Sequence, residues 1–435
     1  VQKAKLLLLF LIIPLITFLI FALELDKEIY QERRAEVMKE IGSGMAVLMS
    51  GYPPFRNGDV YYPFRVDNNF FYLTGIKEPG AFLVLYPKSQ MKKEILFLPS
   101  QKPGRERWEG KSLGPGEEAQ KMSGIETVLS IDEFERITSR LLRVVDDFYY
   151  ISPAEIVKKN EPLTPQLYFI NQLKERYPHL AIKDLSAILA AMRLIKSPEE
   201  LKLLQWAIDI TSTAQREAMK TVEPGMYEYE IKAVIEYVYQ KKGATGWGFP
   251  CIIGSGPNSC ILHYEKCARK MEAGDMLVMD IGAEYENYSA DITRTIPVSG
   301  KFTPRQRAIY TIVLESNKRA IAAVKPRRTI KDIDKVARDY IKSKGYGEYF
   351  IHGTSHWLGM NVHDVGEYDA KFKPGMVITV EPGIYIPEED LGVRIEDDIL
   401  ITEGGHKVLS SSAPKEIVEI EKLMKEKGIG NIAIE

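Results

Sequence analysis

Four strand-like runs between residues 276 and 402, MLVMDIGAEY, YSADITRTIPV, MVITVEPGIYI and GVRIEDDILIT, carry acids placed in pairs about turns. Asp280 and Asp291 are symmetric about a midpoint between Tyr285 and Glu286; Glu381 and Glu396 are symmetric about one between Glu388 and Glu389. In an antiparallel ribbon this symmetry makes the members of each pair cross-strand neighbours on one face, about 5 Å apart at Cβ. Opposed carboxylates repel unless positive charge sits between them. Arg394, on the same strand face as Glu396, could neutralise one acid in a purely structural pair, and a metal cation could neutralise either pair.

A histidine motif decides between these readings. HGTSHWLGMNVHD places His352, His356 and His363 in the same region as the acids. Its spacing resembles the HExxH zinc motif only superficially, because Gly353 follows His352, and Gly353 and Gly359 argue against one continuous helix. One imidazole, His356, and four carboxylates balance two divalent cations in charge and favour an oxygen-tolerant metal: Mn²⁺ first, with Co²⁺ or Zn²⁺ as alternatives. A two-metal hydrolase is the chemistry this pattern points to. The turn IGSGPNSC lacks a full G-x-G-x-x-G and reads as a tight turn that brings His263 toward the metals.

At 435 residues the chain exceeds the usual single core and implies two or three domains. Lys and Arg (58) nearly balance Asp and Glu (60), so no net field points to nucleic acid. Cys251, Cys260 and Cys267 follow no C-x-x-C pattern and read as reduced, mostly buried thiols.

Residues 1–24 read as a hydrophobic leader. The apolar run at 6–23 lies behind Lys3 and Lys5 and is long enough to anchor in a membrane as a helix, or to act as a signal peptide. Either reading puts the body outside the cytoplasm; if the run lies outside the true start, the body is cytoplasmic. Residues 25–177 read as an α/β domain, with GMAVLMSG, FFYLTGI, AFLVLYP, EILFLP and DDFYYIS as strands. Residues 178–196 read as a junction, 197–424 as an α+β domain of helices on a largely antiparallel sheet, and 425–435 as a tail. Ser197, Thr303 and Thr329 are predicted to cap helices, the first two with Pro at the following position.

The strings LVMDIGAEYENYSADITRT, HGTSHWLGMNVHDVG, TVEPGIYI and GVRIEDDILIT resemble the pita-bread metallopeptidases, specifically aminopeptidase P and prolidase. VYYPFRVDNNFFYLTGIKEPGAFLVL and RERWEGKSLG resemble the N-terminal domain of aminopeptidase P, and the resemblance spans roughly Lys27 to Met424. It implies a curved, largely antiparallel catalytic sheet and a dinuclear site on Asp280, Asp291, His356, Glu381 and Glu396. It also implies catalytic or substrate-contacting roles for His263, His352, His363 and Arg394, and a homo-oligomer in which Trp108 reaches a neighbouring subunit's site. The implied reaction releases the N-terminal residue of a peptide with proline second, through attack by a metal-bridging hydroxide with Glu381 shuttling the proton.

A prolidase, cleaving only Xaa-Pro dipeptides, is the nearest alternative. It needs a cation for the free carboxylate, and between His363 and Glu381 the chain offers only Lys371 and Lys373. A non-catalytic peptide-binding module of the same fold is a further alternative; such members typically lose metal ligands, and all five are present here.

Overall fold

The computed structural model describes residues 25–431, apart from 91, 102, 103, 105 and 152–163. The apolar run at 6–23 and the last four residues of the tail lie outside the described residues. Among the described residues, no helix is long and apolar enough to cross a membrane.

The first domain is built on a six-stranded mixed sheet in the order Val128–Ser130, Glu94–Leu98, Phe82–Leu85, Met45–Met49, Asp147–Tyr150, Ala181–Asp184. Its central strands Glu94–Leu98, Phe82–Leu85 and Met45–Met49 read as nearly unbroken apolar runs because both faces are covered. Along the strand Met45–Met49, Met45 and Val47 enter one core with Val84, Phe97 and Phe148, while Ala46 and Leu48 enter the large core shared with the second domain.

Two expectations are corrected here. FFYLTGI is not a strand but part of the helix Asn68–Thr74. Asp67 caps that helix by accepting from the Phe70 N–H at 2.9 Å, and Gly75 ends it in the left-handed region; these end signals outweigh the β-propensity of the aromatic residues. The segment 178–196 is more than a junction: it contributes the edge strand Ala181–Asp184, parallel to Asp147–Tyr150, and the helix Ser186–Leu194.

In the second domain the cap residues behave as their chemistry requires. Ser197, Thr303 and Thr329 open the helices Pro198–Thr221, Pro304–Ala323 and Ile330–Ser343, each with a reciprocal cap from the residue at the third helical position. The helix Glu228–Lys241 joins them. These helices cover two antiparallel three-stranded sheets. One is Ile252–Ser255, Met276–Ile281 and Ile292–Pro297; the other is Val377–Val380, Asp397–Thr402 and Gly405–Val408, with the hairpin Gly383–Ile386 and Leu391–Arg394 beside it. Cys251 and Cys267 are buried and Cys260 is partly so, all as free thiols.

The first domain is bonded to the loop that carries His363. Asn68 donates to the Met360 carbonyl (3.1 Å) and to Asn361 Oδ1 (2.7 Å), and Arg193 holds the buried Asp364 at 2.6 Å.

Candidate metal centre

Asp280 lies within the strand Met276–Ile281, whereas Asp291, Glu381 and Glu396 lie at breaks in their hairpins. In the first hairpin Asp280 pairs with Thr293 and Ile281 with Ile292, so the turn falls at Glu286–Asn287, one residue later than symmetry about the aspartates requires. Both turn residues have positive φ (48° and 64°), the conformation of a two-residue type I′ turn, which Asn tolerates well. Moving a turn by one residue shifts the pairing by two, so Asp280 and Asp291 are diagonal rather than opposed, yet they keep a common face.

The strands cross closely just before Asp291. A Cβ at Gly282 would stand 2.0 Å from the Ala290 carbonyl oxygen, so only glycine fits there. In the second hairpin, Gly383 pairs with Arg394 and Val380 with Asp397, the register expected for Glu381 facing Glu396. The run read as one strand is interrupted at each glutamate. There the backbone N–H groups turn to other partners: Glu381 donates to the Thr354 carbonyl (2.8 Å) and Glu396 to that of Thr293 (3.1 Å).

The breaks deliver three of the acids to one buried point. His356 Nε2 lies 3.4 Å from Asp291 Oδ2, 3.6 Å from Glu381 Oε1 and 3.9 Å from Glu396 Oε1. Its Nδ1 donates to the Trp357 carbonyl oxygen at 3.0 Å, which leaves a lone pair on Nε2 facing the carboxylates. Lone pairs converging on one another call for an electron-pair acceptor, a cation or a proton. Asp280 Oδ1 and Asp291 Oδ1 are buried with no hydrogen-bond partner among the described residues, an arrangement that costs free energy unless a cation takes them up. The set therefore fits divalent metal, and Asp291, His356 and Glu396 place their ligand atoms within 4.8 Å of one another.

The electrostatics agree. Burial, followed by the charge of Asp280, pushes the Glu396 carboxyl up to about 8. Burial and the charge of Glu396 likewise raise Asp291 and Glu381 well above the usual carboxylate range. Burial, then the neighbouring His363, pulls His356 down to about 4, so it is a neutral donor at physiological pH. These carboxyl groups cannot all ionise together without a cation.

A cleft of about 540 Å³ opens onto this point; it is lined by all five expected ligands together with His263, His352, His363 and Arg394. The His363 ring packs edge-on against His356 with centroids 4.3 Å apart. Arg394 is committed to the cluster, donating to Asp280 Oδ2 at 2.6 Å, to the Tyr385 hydroxyl at 2.8 Å and to Thr293 Oγ1 at 3.2 Å. Trp108 is not brought to this cleft; it stands 89% exposed on the short helix Glu106–Glu109.

Sequence reasoning missed Thr293, whose hydroxyl donates to Glu396 Oε2 at 2.7 Å, and Tyr385, which bridges Arg394 and His352. Thr293 becomes visible only with the true hairpin register, opposite Asp280. Tyr385 carries no motif signal of its own.

Residues 202–403 match the model of metallopeptidase family M24, and residues 30–149 match the aminopeptidase P N-terminal domain. The chain is 38% identical to the Xaa-Pro aminopeptidase of Haemophilus influenzae, across 93% of this chain and 99% of that one. It belongs to metallopeptidase family M24. Within that family it is also similar to Escherichia coli aminopeptidase P solved with the inhibitor Pro-Leu, with a TM-score of 0.83 and 34% identity over 92% of this chain and 99% of the other. The Xaa-Pro dipeptidase of Pyrococcus furiosus is 41% identical, but over 59% of this chain and 76% of its own length. The expected architecture, an aminopeptidase P-like N-terminal domain followed by an M24 pita-bread domain, is thus the one found.

Proposed function

We propose that this M24 metallopeptidase is a Xaa-Pro aminopeptidase, releasing the N-terminal residue of peptides with proline second. The observation that carries the reading is the convergence of His356 Nε2 with Asp291, Glu381 and Glu396 at the base of a peptide-sized cleft. Asp280, Asp291, His356, Glu381 and Glu396 would hold two divalent cations, and the oxygen-rich set favours manganese. When bound, such ions supply Lewis-acid polarisation of the scissile carbonyl and a water of lowered pKa.

The remaining roles fall to the chain's own side chains. Glu381, with one oxygen 3.6 Å from His356 Nε2 and the other 3.8 Å from His352 Nδ1, is placed to take a proton and return it to the departing proline nitrogen. His263 and His363 line the same cleft and offer N–H groups to the carbonyl oxygen as it gains charge. A Xaa-Pro bond has no N–H, so a site that works on its carbonyl oxygen loses nothing with this substrate.

The likeness to a dipeptidase supports a second reading, but the cleft argues against it. Among the described residues lining the cleft, Arg394 is the sole Lys or Arg, and it already serves Asp280. No free cation remains there for a dipeptide carboxylate.

The Mn²⁺-loaded protein should cleave Arg-Pro-Pro, spare its N-acetylated form and act poorly on Arg-Pro. Equal cleavage of the blocked peptide would remove the aminopeptidase reading, and activity confined to the dipeptide would replace it with prolidase. The exposure of Trp108 supports the further reading that it packs in a homo-oligomer, which light scattering of wild type and Trp108→Ala would test. The run at 6–23 supports a body held outside the cytoplasm, for which protease accessibility on intact cells is the measurement.

A further inference from the structure

We propose that Tyr385 is a positioning residue that caps His352 Nε2, reinforcing the Nδ1–H tautomer that the Gly353 carbonyl also requires and closing the Nε2 lone pair of that ring to metal. Arg394 has donors only, and its Nη1 lies 2.8 Å from the Tyr385 hydroxyl, so the hydroxyl oxygen accepts in that contact. The same hydroxyl lies 2.8 Å from His352 Nε2, and its one proton is directed there. Nε2 accepts, and the ring proton therefore resides on Nδ1, which donates to the Gly353 carbonyl oxygen at 2.8 Å and faces Glu381 Oε2 at 3.8 Å.

His356, one helical turn's spacing further along the chain, carries the same tautomer with the opposite consequence. Its Nε2 is open to three carboxylates, whereas that of His352 is occupied by a tyrosine hydroxyl. The two imidazoles are thus sorted into a metal ligand and an N–H donor beside Glu381. The hydroxyl has a place made for it: a Cβ at Gly383 would stand 2.5 Å from the Tyr385 oxygen, and the Tyr385 side chain is buried.

Histidine tautomers are read directly by two-bond ¹H–¹⁵N NMR of the full chain labelled with ¹⁵N-histidine, metal-free and loaded with diamagnetic Zn²⁺. His352 is assigned by the signals lost in His352→Gln. In the wild type, a pyrrole-type Nδ1 and a pyridine-type Nε2 are expected; the reverse tautomer or a doubly protonated ring overturns the proposal. In Tyr385→Phe, the Nδ1–H that Gly353 accepts should persist, the Nε2 resonance should move downfield as its hydrogen bond is lost, and kcat should fall roughly 2- to 10-fold with metal content unchanged, the scale of one hydrogen bond. A His352 spectrum unaltered by that substitution also overturns it. The metal-free spectrum reads the hydrogen-bond chain itself, so its outcome is separate from that of the peptidase assay.

Discussion

Replacing Glu396 with Gln should make the metal-free protein more stable at alkaline pH while abolishing its ability to use metal. Glutamine fits the site. It keeps an oxygen for the Thr293 hydroxyl, which donates to Glu396 Oε2 at 2.7 Å, and turns an N–H toward His356 Nε2, 3.9 Å from Oε1. The Glu396 carboxyl is raised from 4.5 to about 8, first by burial and then by Asp280. An acid whose folded pKa is raised gives stability that is fully present below its unfolded pKa and is lost as pH rises through the folded one.

At ~1.4 kcal/mol per pKa unit, ionising Glu396 costs the metal-free fold at most about 5 kcal/mol. The charge is shared with Asp291 and Glu381, so the substitution should recover about 1–3 kcal/mol, the scale of relieving one unsatisfied buried polar group. For a chain of this length that is a Tm rise of about 1–3 °C in chelator near pH 9, shrinking as pH falls and vanishing only below 4.5, where the carboxyl is protonated in the folded and unfolded chain alike. Adding Mn²⁺ should reverse the order: the wild type gains about 2.7 kcal/mol at a hundredfold excess over Kd, and the variant gains none. Calorimetry with and without chelator, alongside metal analysis, reads all of this. A variant less stable than wild type near pH 9 in chelator, or one that keeps two ions per chain, would refute the reasoning.

The remaining predictions concern the groups around the centre. Arg394→Met strands the Asp280 carboxylate, now held at 2.6 Å, in a buried site; it should cost about 3–5 kcal/mol in urea unfolding, and a loss below 1 kcal/mol would show that the pair is not buried as described. Burial opposes ionisation of Asp364, but Lys196 and Arg193 outweigh it and hold its carboxyl below 3.8, so the stability it gives is present above that pH and lost as pH falls below it. Stability curves of wild type and Asp364→Asn should therefore differ at neutral pH and converge in acid, and a constant gap down to low pH would contradict the pairing.

The sequence by itself determined the parts of this protein that rest on local chemistry. Ser197, Thr303 and Thr329 announced helix starts because a hydroxyl that satisfies orphan N–H groups acts within a single turn. The PEED turn that sets Glu381 against Glu396 was legible because a hairpin register depends only on where its turn falls. The same rule failed for Asp280 and Asp291, where the left-handed pair Glu286–Asn287 moved the turn by one residue; β-propensity failed for FFYLTGI, where aromatic residues hid a capped helix.

Only the tertiary structure decided the rest. Whether Nε2 of a histidine meets carboxylates or a tyrosine hydroxyl depends on strands far apart in sequence, and spacing does not encode it. Breaks in the strands at Glu381 and Glu396 arise because their N–H groups bond to Thr354 and Thr293, in other elements, in place of the ladder. The sequence names the donors, and the packing of two bent hairpins against the His356 loop turns them into one site, because convergence of lone pairs is a property of three-dimensional distance.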